Sequence, residues 1–393
     1  MIKKTFSVIG LGYGDEGKGT VVDWLASQYS ENALVIRHSG GHQVGHTVKM
    51  GDVIHGFRNF GSGTFRGVPT YYDKLCTVSP LGFHMEYNDL FIKAPKIKPI
   101  VFVHPKALVV TIFDIAYNRA KDKIYQHGSV GLGFAATIKR SDLIPLYVFD
   151  LKYDFVIDKK INYIIDYYNN LTVNEELYDA YHIELNKLVH NGFSPEDFLK
   201  SCKFFIENTV IVNMEKDYNF NNSFDYFIYE GNQGVLLDKF HGFFPHVTYG
   251  HTTNKTVNFV NEVFYVTRAY TTKHGNGFLQ NESIEMLPLI NNEDEQNLNN
   301  IYQGHFRHSL LSYDYLRYAI EADGTDLNYS ASTKKNLVIT CMDQIKNPLI
   351  TVDKNLVQLV PEIFEGLVDK VYVNTSPKSE TITLAKDFNY GDN

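Results

Sequence analysis

The sequence predicts an α/β fold in which buried strands end in glycine-rich or polar motifs. Residues Thr5 to Leu11 form a nearly unbroken apolar run, glycines follow it, and the segment that continues to Ser27 has helical spacing. A second short strand, Ala33 to Arg37, also ends at a pair of glycines. Because open α/β sheets bind ligands at the carboxyl ends of their strands, these motifs mark the expected site.

Similar strand-then-motif units recur toward the C-terminus. The predicted strands are Phe227 to Tyr229, Leu337 to Thr340 and Lys370 to Val373. Between the two halves, residues 151–216 are rich in Tyr, Asn, Asp, Lys and Leu with helical periodicity, which predicts a helical insertion or subdomain. The acidic, Asn-rich run from Asn291 to Asn300 predicts a solvated loop.

Composition and charge exclude several classes of protein. A chain of 393 residues with 44% hydrophobic content can bury a large core, and its net charge of -8 argues against a long basic surface for nucleic acid. Cys76, Cys202 and Cys341 have no metal-ligand spacing and leave one thiol unpaired in any disulfide scheme, which indicates a reducing cytoplasm. No run of 18 consecutive apolar residues occurs, so we expect neither a secreted nor a membrane-spanning protein.

The first glycine motif, GLGYGDEGKGT from Gly10 to Thr20, has the spacing of a P-loop. Gly12 and Gly17 are separated by four residues, and Lys18 follows them. Backbone N–H groups and this lysine would hold phosphates, and a purely structural turn is the competing interpretation. Gly19 stands where a P-loop has Ser or Thr, so magnesium must find another ligand, for which Asp15 is well placed.

This GDEGKG motif after a strand resembles the opening signature of adenylosuccinate synthetases, and further motifs follow in the family's order. They are GGHQVGHT at 40–47, GSVGLG at 128–133, EGNQG at 230–234 with its polar continuation to Thr253, RAYTT at 268–272, TCMD at 340–343 and NTSP at 374–377. The series covers nearly the whole chain. The resemblance implies one domain over residues 1–393, built on a large, mainly parallel central sheet flanked by helices.

The resemblance also implies a reaction, in which a nucleoside triphosphate drives the joining of L-aspartate to a purine nucleotide through a 6-phosphoryl intermediate. Asp15 would remove the proton from purine N1, and His46 would stabilise charge on the 6-oxygen or the transferring phosphoryl group. Mg²⁺ would be bound by the Asp15 carboxylate and the Gly45 carbonyl. The competing interpretation of His46 is an ordinary hydrogen-bonding residue of a glycine-rich loop, and His42 is expected to be structural.

Residue by residue, the matched motifs assign side chains to three ligands and to catalysis. The catalytic residues are Asp15, Lys18, His46 and Gln233. The triphosphate-binding residues are Gly14, Glu16, Gly17, Lys18, Gly19, Thr20, Gly45, His46, Thr47, Asp343, Ser376 and Pro377. The residues for the monophosphate nucleotide are Asp15, Gln43, Ser129, Val130, Arg140, Gln233, Leu237 and Thr248. The aspartate-binding residues are Phe306, Arg307 and His308. Family members are homodimers in which an arginine reaches the neighbour's nucleotide phosphate, and Arg140 is its expected counterpart.

The departures from the family pattern are concentrated in substrate contacts. The loop from Gly304 to Ser309 lacks the family's arginine-rich run, which leaves Arg307 to hold the carboxylates of aspartate and puts Phe306 near the ribose. A divergent bacteriophage branch resembles this chain better, because those enzymes act on dGMP and make 2-amino-2'-deoxyadenylosuccinate for diaminopurine DNA. Many of that branch have serine in place of the catalytic aspartate, whereas Asp15 is retained here, so IMP stays the alternative acceptor.

The donor nucleotide is also left open. Asp343 can accept hydrogen bonds from the guanine of GTP, whereas Cys341 replaces the lysine that usually accompanies this aspartate, which favours ATP or dATP. Two other classes of protein compete with a ligase. A catalytically inactive nucleotide-binding regulator would have lost Asp15, Lys18 or His46, and a generic P-loop NTPase would carry Ser or Thr in place of Gly19.

Overall fold

The computed structural model describes residues 3–125, 128–171, 174–286, 288–291, 304–326 and 332–387. Its helices are α1 (Lys18–Tyr29), α2 (Pro80–Lys93), α3 (Ile112–Tyr125), α4 (Phe134–Ser141), α5 (Asp154–Leu171), α6 (Glu175–His190), α7 (Pro195–Glu207), α8 (Tyr218–Asn222) and α9 (Tyr313–Asp326). Its strands are β1 (Lys4–Gly10), β2 (Ala33–Arg37), β3 (Gly40–Gly41), β4 (His46–Met50), β5 (Val53–Phe57), β6 (Thr70–Tyr72), β7 (Cys76–Val78), β8 (Val101–Val103), β9 (Leu108–Val109), β10 (Val210–Ile211), β11 (Tyr226–Gly234), β12 (Glu262–Arg268), β13 (Tyr270–His274), β14 (Phe306–Ser312), β15 (Lys334–Thr340), β16 (Leu349–Val352), β17 (Asn355–Gln358), β18 (Lys370–Asn374) and β19 (Ile382–Leu384).

The predicted α/β fold with a large, mainly parallel sheet is confirmed. Ten strands pair in the order β10, β8, β6, β2, β11, β1, β12, β15, β18, β19. Every neighbouring pair in this sheet is parallel except β18 with β19. The strands predicted from the sequence correspond to β1, β2, β11, β15 and β18, so the motifs that follow them converge on one edge of the sheet.

Strand β1 lies near the centre of the sheet because both of its faces are apolar. Phe6 and Val8 pack with Val21 and Leu25 of helix α1 in one buried cluster, and Ile9 belongs to a second cluster on the other face. Strands buried on both faces read as continuous apolar runs, which is the pattern from which β1 was predicted. The connection from β1 to α1 is the glycine loop, and it is thereby fixed at the carboxyl edge.

Helices α5, α6 and α7 occupy most of residues 151–216, for which a helical insertion was predicted. Their apolar faces, including Tyr168, Tyr181 and Phe205, belong to the same buried cluster as side chains of α2, α3 and β8. These helices therefore share a core with one half of the sheet, and the boundaries of a separate subdomain stay a prediction.

Three further points complete the fold. None of the helices among the described residues is long and apolar enough to cross a membrane. Cys76, Cys202 and Cys341 are free thiols. Most of the run from Asn291 to Asn300, for which a loop was predicted, lies outside the described residues.

Candidate active site

Two cavities open at the carboxyl edge of the sheet. We call the first the loop cavity, because it contains the glycine loop. It is lined by Gly14, Asp15, Gly17, Lys18, Gly19, Thr20, Gly45, His46, Thr47, Lys49, Ile54, Arg268, Asn291, Thr340, Cys341, Asp343, Gln344, Asn374, Ser376 and Pro377. Every residue predicted to bind the triphosphate is in this lining except Glu16. Motifs that lie more than 300 residues apart in the sequence therefore line the same cavity.

Glu16 lies beneath the glycine loop and ties it together from inside. Its carboxylate accepts hydrogen bonds from the backbone nitrogens of Gly12 at 3.0 Å and Gly14 at 2.7 Å. Lys18 Nζ donates to the same carboxylate and to the Gly14 carbonyl oxygen, both at 2.8 Å. The side chain of Glu16 thus shapes the loop, and the assignment of Glu16 to the triphosphate-binding residues stays a prediction.

The glycine at position 19 is explained by the close approach of His46. A Cβ atom at Gly19 would lie 2.8 Å from the His46 Cβ and 3.1 Å from the Ser62 Oγ. A serine or threonine, as in an ordinary P-loop, would therefore displace the strand that begins at His46. The departure from the P-loop pattern makes room for the histidine.

His46 is held by a buried carboxylate that sequence reasoning left without a role. His46 Nδ1 lies 2.6 Å from Glu230 Oε1, and the Ser62 hydroxyl donates to the same oxygen. Burial opposes ionisation of Glu230, but the charge and hydrogen bond of His46, together with Arg37, outweigh it and lower the pKa of Glu230 to about 2. Burial lowers the pKa of His46, an effect that Glu230 opposes. The sequence feature that could have indicated a role for Glu230 is its position at the start of the EGNQG motif.

The other histidine nitrogen, His46 Nε2, is buried and has no hydrogen-bond partner among the described residues. Because His46 lines the loop cavity, this nitrogen is the one left for a ligand. A histidine whose Nδ1 is held by a carboxylate has a fixed ring orientation, which is the arrangement that catalytic and ligand-binding histidines need.

Asp15 lies where the loop cavity meets the second cavity. Its Oδ2 is 3.4 Å from Nε2 of His274, and its carbonyl oxygen accepts a hydrogen bond from Arg268 Nε. Burial raises the pKa of the Asp15 carboxyl, whereas His274 and Arg268 act in the opposite direction. A carboxylate with a raised pKa is a better proton acceptor, which suits the role predicted for Asp15.

The second cavity, which we call the amide cavity after Gln43 and Gln233, lies beside the first. It is lined by Tyr13, Gln43, Asn118, Gly128, Ser129, Val130, Gly131, Leu132, Phe134, Ala135, Gln233, Leu237, His246, Val247, Thr248, Tyr249, Lys273, His274 and Asn276. Of the residues predicted for the monophosphate nucleotide, it brings together Gln43, Ser129, Val130, Gln233, Leu237 and Thr248. Asp15 faces the loop cavity instead, in contact with His274 of this lining.

The two glutamines of the amide cavity are placed for a ligand. Both amide atoms of Gln43 are buried and have no hydrogen-bond partner among the described residues. Gln233 has a positive φ of 45°, a conformation uncommon for residues other than glycine. A buried amide without partners is costly unless a ligand completes its hydrogen bonds.

Helix α3 holds the loop at 128–133 that forms one wall of this cavity. Asn118 Nδ2 donates to the Ser129 hydroxyl at 2.8 Å, and Asn118 Oδ1 accepts from the Gly133 nitrogen at 3.1 Å. Arg119 Nε donates to the Gly131 carbonyl at 2.9 Å. The loop is therefore anchored from behind, which leaves its front to the cavity.

The guanidinium of Arg140 is bonded inside its own subunit. Its side chain is 0% exposed, and Nε lies 2.8 Å from Asp114 Oδ1. Nη1 and Nη2 donate to the carbonyl oxygens of Ile144 and Val109. All three guanidinium nitrogens are thus used inside the subunit, which favours a structural role beneath the 128–133 loop, and the contact with a neighbour's phosphate stays a prediction.

The described residues that line the two cavities do not include the predicted aspartate-binding residues Phe306, Arg307 and His308. They lie on β14, which pairs antiparallel with β13. Arg307 Nη2 donates to the Gly277 carbonyl at 2.8 Å. The ring of Phe306 packs against His274, with centroids 5.1 Å apart.

The partners of Phe306 and Arg307 on β13 do line the amide cavity, and sequence reasoning missed them. The register pairs Lys273 with Arg307 and His274 with Phe306. Lys273 is buried with its Nζ 4.1 Å from the Tyr13 ring centroid. Burial lowers the pKa of Lys273 to about 8, and the charge of Arg307 adds to this effect. The sequence feature that could have indicated them is their position directly after the RAYTT motif.

The far wall of the loop cavity is formed by the motifs at Asp343 and Ser376. Cys341, which precedes Met342 and Asp343 at the end of β15, has a positive φ of 58°. Burial raises the pKa of the Asp343 carboxyl. Asn374 donates to the Lys378 carbonyl at 2.9 Å and so shapes the turn that carries Ser376 and Pro377.

The predicted magnesium ligands fit the chemistry of that ion. Asp15 and Gly45 line the same cavity, and both supply hard oxygen donors. Within the described ranges, no group of three or more His, Cys, Asp or Glu is arranged to hold a metal. Mg²⁺ usually keeps few protein ligands and takes the rest from phosphate oxygens and water, so one carboxylate beside a phosphate loop is sufficient.

Comparison with known sequences agrees with the family resemblance of the motifs. Residues 7–305 match the protein family described as Adenylosuccinate synthetase. The adenylosuccinate synthetase of Borrelia turicatae is 28% identical over 289 residues, which cover 69% of this chain and 63% of that protein. The one from Thermoplasma volcanium is 29% identical over 289 residues, which cover 70% and 62%. The matched region thus spans less than two thirds of the length of these relatives.

Two solved structures share the fold. The fully ligated adenylosuccinate synthetase of Plasmodium falciparum superposes with a TM-score of 0.65 at 17% identity, covering 96% of this chain and 99% of that one. The succinoaminodeoxyadenylate synthetase of cyanophage S-2L, bound to dGMP and dATP as an energy donor, superposes with a TM-score of 0.59 at 13% identity, covering 98% and 96%.

Proposed function

The chain belongs to the adenylosuccinate synthetase family, and we propose that it is a ligase that joins L-aspartate to position 6 of a purine nucleotide at the expense of a nucleoside triphosphate. The observation that carries the proposal is the meeting of the two cavities. Asp15 of the loop cavity lies 3.4 Å from His274 of the amide cavity. Two nucleotides bound side by side would face each other there, the γ-phosphate of one against the purine ring of the other.

In the first step of the proposed reaction, Asp15 accepts the proton from purine N1. The 6-oxygen then bonds to the γ-phosphorus, and the bond from that phosphorus to the bridging oxygen breaks to release a nucleoside diphosphate. His46 Nε2, fixed by the contact of Nδ1 with Glu230, stabilises the charge on the oxygens involved. Mg²⁺, held by Asp15 and the Gly45 carbonyl, would neutralise charge on the phosphates.

In the second step, the neutral amine of L-aspartate bonds to C6, the bond from C6 to oxygen breaks, and the departing phosphate takes up the proton that the amine loses. We propose that Lys273, with Arg307 directly across the β13–β14 pair, supplies the positive potential that attracts the carboxylates of aspartate. This assignment replaces Phe306 and His308 with Lys273 as the residue that meets the substrate. Gln43 and Gln233 would bind polar groups of the acceptor nucleotide in the same cavity.

For the acceptor nucleotide we propose dGMP, which gives 2-amino-2'-deoxyadenylosuccinate. A substrate without a 2'-hydroxyl needs no polar partner at that position, which suits the loss of the family's arginine-rich run from the loop between Gly304 and Ser309. The cyanophage enzyme that shares the fold was solved with dGMP. The specific observation in favour of IMP is that the sequence relatives are adenylosuccinate synthetases.

A single set of assays tests both the ligase reaction and the choice of acceptor nucleotide. Purified protein with Mg²⁺ and L-aspartate is given dGMP, GMP or IMP, each with ATP, dATP or GTP, and the succinyl product is measured. We expect dGMP to be consumed faster than IMP. If IMP is clearly faster, the acceptor assignment fails and the family reaction stands; if no pair gives a succinyl nucleotide, the ligase assignment itself fails.

A further inference from the structure

His274 occupies a position between the two cavities that no step of the proposed reaction uses. It is the last residue of β13, it lines the amide cavity, and its side chain is only 7% exposed. The Phe306 ring packs against it from β14, with centroids 5.1 Å apart. The imidazole is therefore held in place, and its two nitrogens have different surroundings.

One nitrogen faces a carboxylate and the other faces none of the described polar groups. Nε2 lies 3.4 Å from Asp15 Oδ2, whereas Nδ1 is buried without a hydrogen-bond partner among the described residues. A carboxylate accepts hydrogen bonds, so Nε2 is the ring nitrogen placed to donate to Asp15, which leaves Nδ1 as the nitrogen open to a ligand. Nδ1 is then a buried acceptor that lacks a donor, which is unfavourable unless a ligand supplies one.

The position of His274 relative to Asp15 and His46 indicates which part of a purine it meets. N1 of the ring lies between C2 and C6, and the proposed mechanism has Asp15 at N1 and His46 at the 6-oxygen. His46 is on the loop-cavity side of Asp15, and His274 is on the amide-cavity side. The group next to His274 is therefore the substituent at C2, which is an amino donor in guanine and a hydrogen atom in hypoxanthine.

We propose that His274 determines the specificity of the acceptor site by accepting a hydrogen bond at Nδ1 from the 2-amino group of a guanine nucleotide. The inference rests on the proposed function, because it needs the purine to bind with N1 at Asp15. It gives the dGMP preference a residue that recognises the base, whereas the loss of the family's arginine-rich run concerns only the sugar.

A pair of substitutions separates recognition of the base from support of Asp15. In His274→Asn the amide reaches the place of Nδ1 and keeps an acceptor for the 2-amino group. In His274→Gln the longer side chain places its amide where Nε2 was. This variant keeps the contact with Asp15 but has no acceptor for the 2-amino group. His274→Phe removes both, and His190→Asn, at an exposed histidine at the end of α6, controls for the loss of an imidazole elsewhere.

The measurement is the ratio of kcat/KM for dGMP to kcat/KM for 2'-deoxyinosine monophosphate, which differ only in the 2-amino group. We expect a fall of roughly ten- to a hundredfold in the Gln and Phe variants, the effect of one hydrogen bond to a buried group. The ratio should be kept in the Asn variant, whose kcat falls for both substrates, and in the control. The KM of the triphosphate should not change.

Two contrary outcomes are distinguishable. If the wild type prefers dGMP and no variant changes the ratio, His274 only supports Asp15, and this inference is overturned while the proposed acceptor stands. If the wild type prefers the deoxyinosine nucleotide, the proposed acceptor fails, and recognition of a 2-amino group fails with it. Thermal unfolding of each variant identifies a folding defect, and the Asn and Gln variants decide the matter if the Phe variant does not fold.

Discussion

At the scale of single residues, the pairing of His46 with Glu230 shows how a histidine that follows a glycine-rich loop acquires a fixed ring orientation. The two residues are 184 positions apart in the chain and meet at 2.6 Å. A motif match can identify each of them, but it cannot say that they touch. The contact joins the first residue of β4 to a residue of β11, two strands that belong to different sheets, so it is a property of the folded molecule.

The first prediction concerns this pair. Glu230→Gln keeps the size and a hydrogen-bond acceptor but removes the charge that holds the His46 ring, so kcat should fall on the order of a hundredfold. The KM of the triphosphate should stay near the wild-type value, because Lys18 and the loop are untouched. The matched control is Glu86→Gln, another buried carboxylate, which accepts from the backbone nitrogens of Arg58 and Asn59. A normal kcat in Glu230→Gln would remove the positioning role.

The second prediction concerns the pH dependence of aspartate use. The pKa of Lys273 is lowered to about 8, so the charged form that binds carboxylates is present below this pH and is lost as pH rises through it. We expect kcat/KM for aspartate to decline above pH 8 by up to about tenfold per pH unit. Lys273→Arg should shift this decline out of the measurable range, since guanidinium stays charged. An unchanged decline in the Arg variant would show that another group is responsible.

At the scale of elements, the start of α1 and the start of β4 are built against each other. The contact is made by Gly19 and His46, because a Cβ added at Gly19 would lie 2.8 Å from the Cβ of His46. The sequence identified Gly19 as a departure from the P-loop but offered no cause. The cause is tertiary packing, which no local pattern contains.

The third prediction tests this packing with one chemical change at two sites. Gly19→Ala should lower kcat at least about tenfold by displacing His46, although alanine normally stabilises a helix by about 0.5–1 kcal/mol relative to glycine. Gly56→Ala, on β5 directly opposite Thr47, meets nothing within 4 Å and should leave kcat unchanged. Equal activity of the two variants, measured with saturating substrates, would refute the packing argument.

The β13–β14 pair shows where prediction from the sequence stopped. The arginine and phenylalanine that stood out as departures are on β14, whereas the residues that line the cavity, Lys273 and His274, are their partners on β13. Alternation along a strand gives the side to which each residue points only once the register is known. Strands such as β1 and β2 were predictable because each is a nearly continuous apolar run, whereas the buried strands β6 and β12 were not predicted.

At the scale of the whole molecule, the ion pair of Arg140 and Asp114 has a structural role. Both side chains are 0% exposed, and Tyr168 of α5 donates to the same carboxylate at 2.6 Å. The pair links α3, α4 and α5 behind the loop at 128–133. From the sequence, an arginine near a loop predicted to bind phosphate could be either a ligand or an anchor, and its burial in the folded chain favours the anchor.

The fourth prediction follows from this burial. Arg140→Met should reduce the free energy of unfolding by about 3–5 kcal/mol, because it leaves the Asp114 carboxylate buried without its charged partner. Urea denaturation followed by circular dichroism measures the change. Any folded fraction should bind the acceptor nucleotide with nearly wild-type affinity. A stable variant with weakened nucleotide binding would instead restore Arg140 as a phosphate ligand.

The homodimer implied by the resemblance stays a prediction, which light scattering can test.

The central claim is that the two cavities bind a nucleoside triphosphate and a purine nucleotide side by side, so that the purine 6-oxygen takes the γ-phosphoryl group before aspartate displaces it. The most direct test uses an acceptor nucleotide labelled with oxygen-18 at position 6, together with triphosphate, Mg²⁺ and L-aspartate. Phosphorus NMR of the inorganic phosphate released then reports the fate of the label. We predict one labelled oxygen in each phosphate formed with the succinyl product; succinyl product accompanied by unlabelled phosphate would contradict the account.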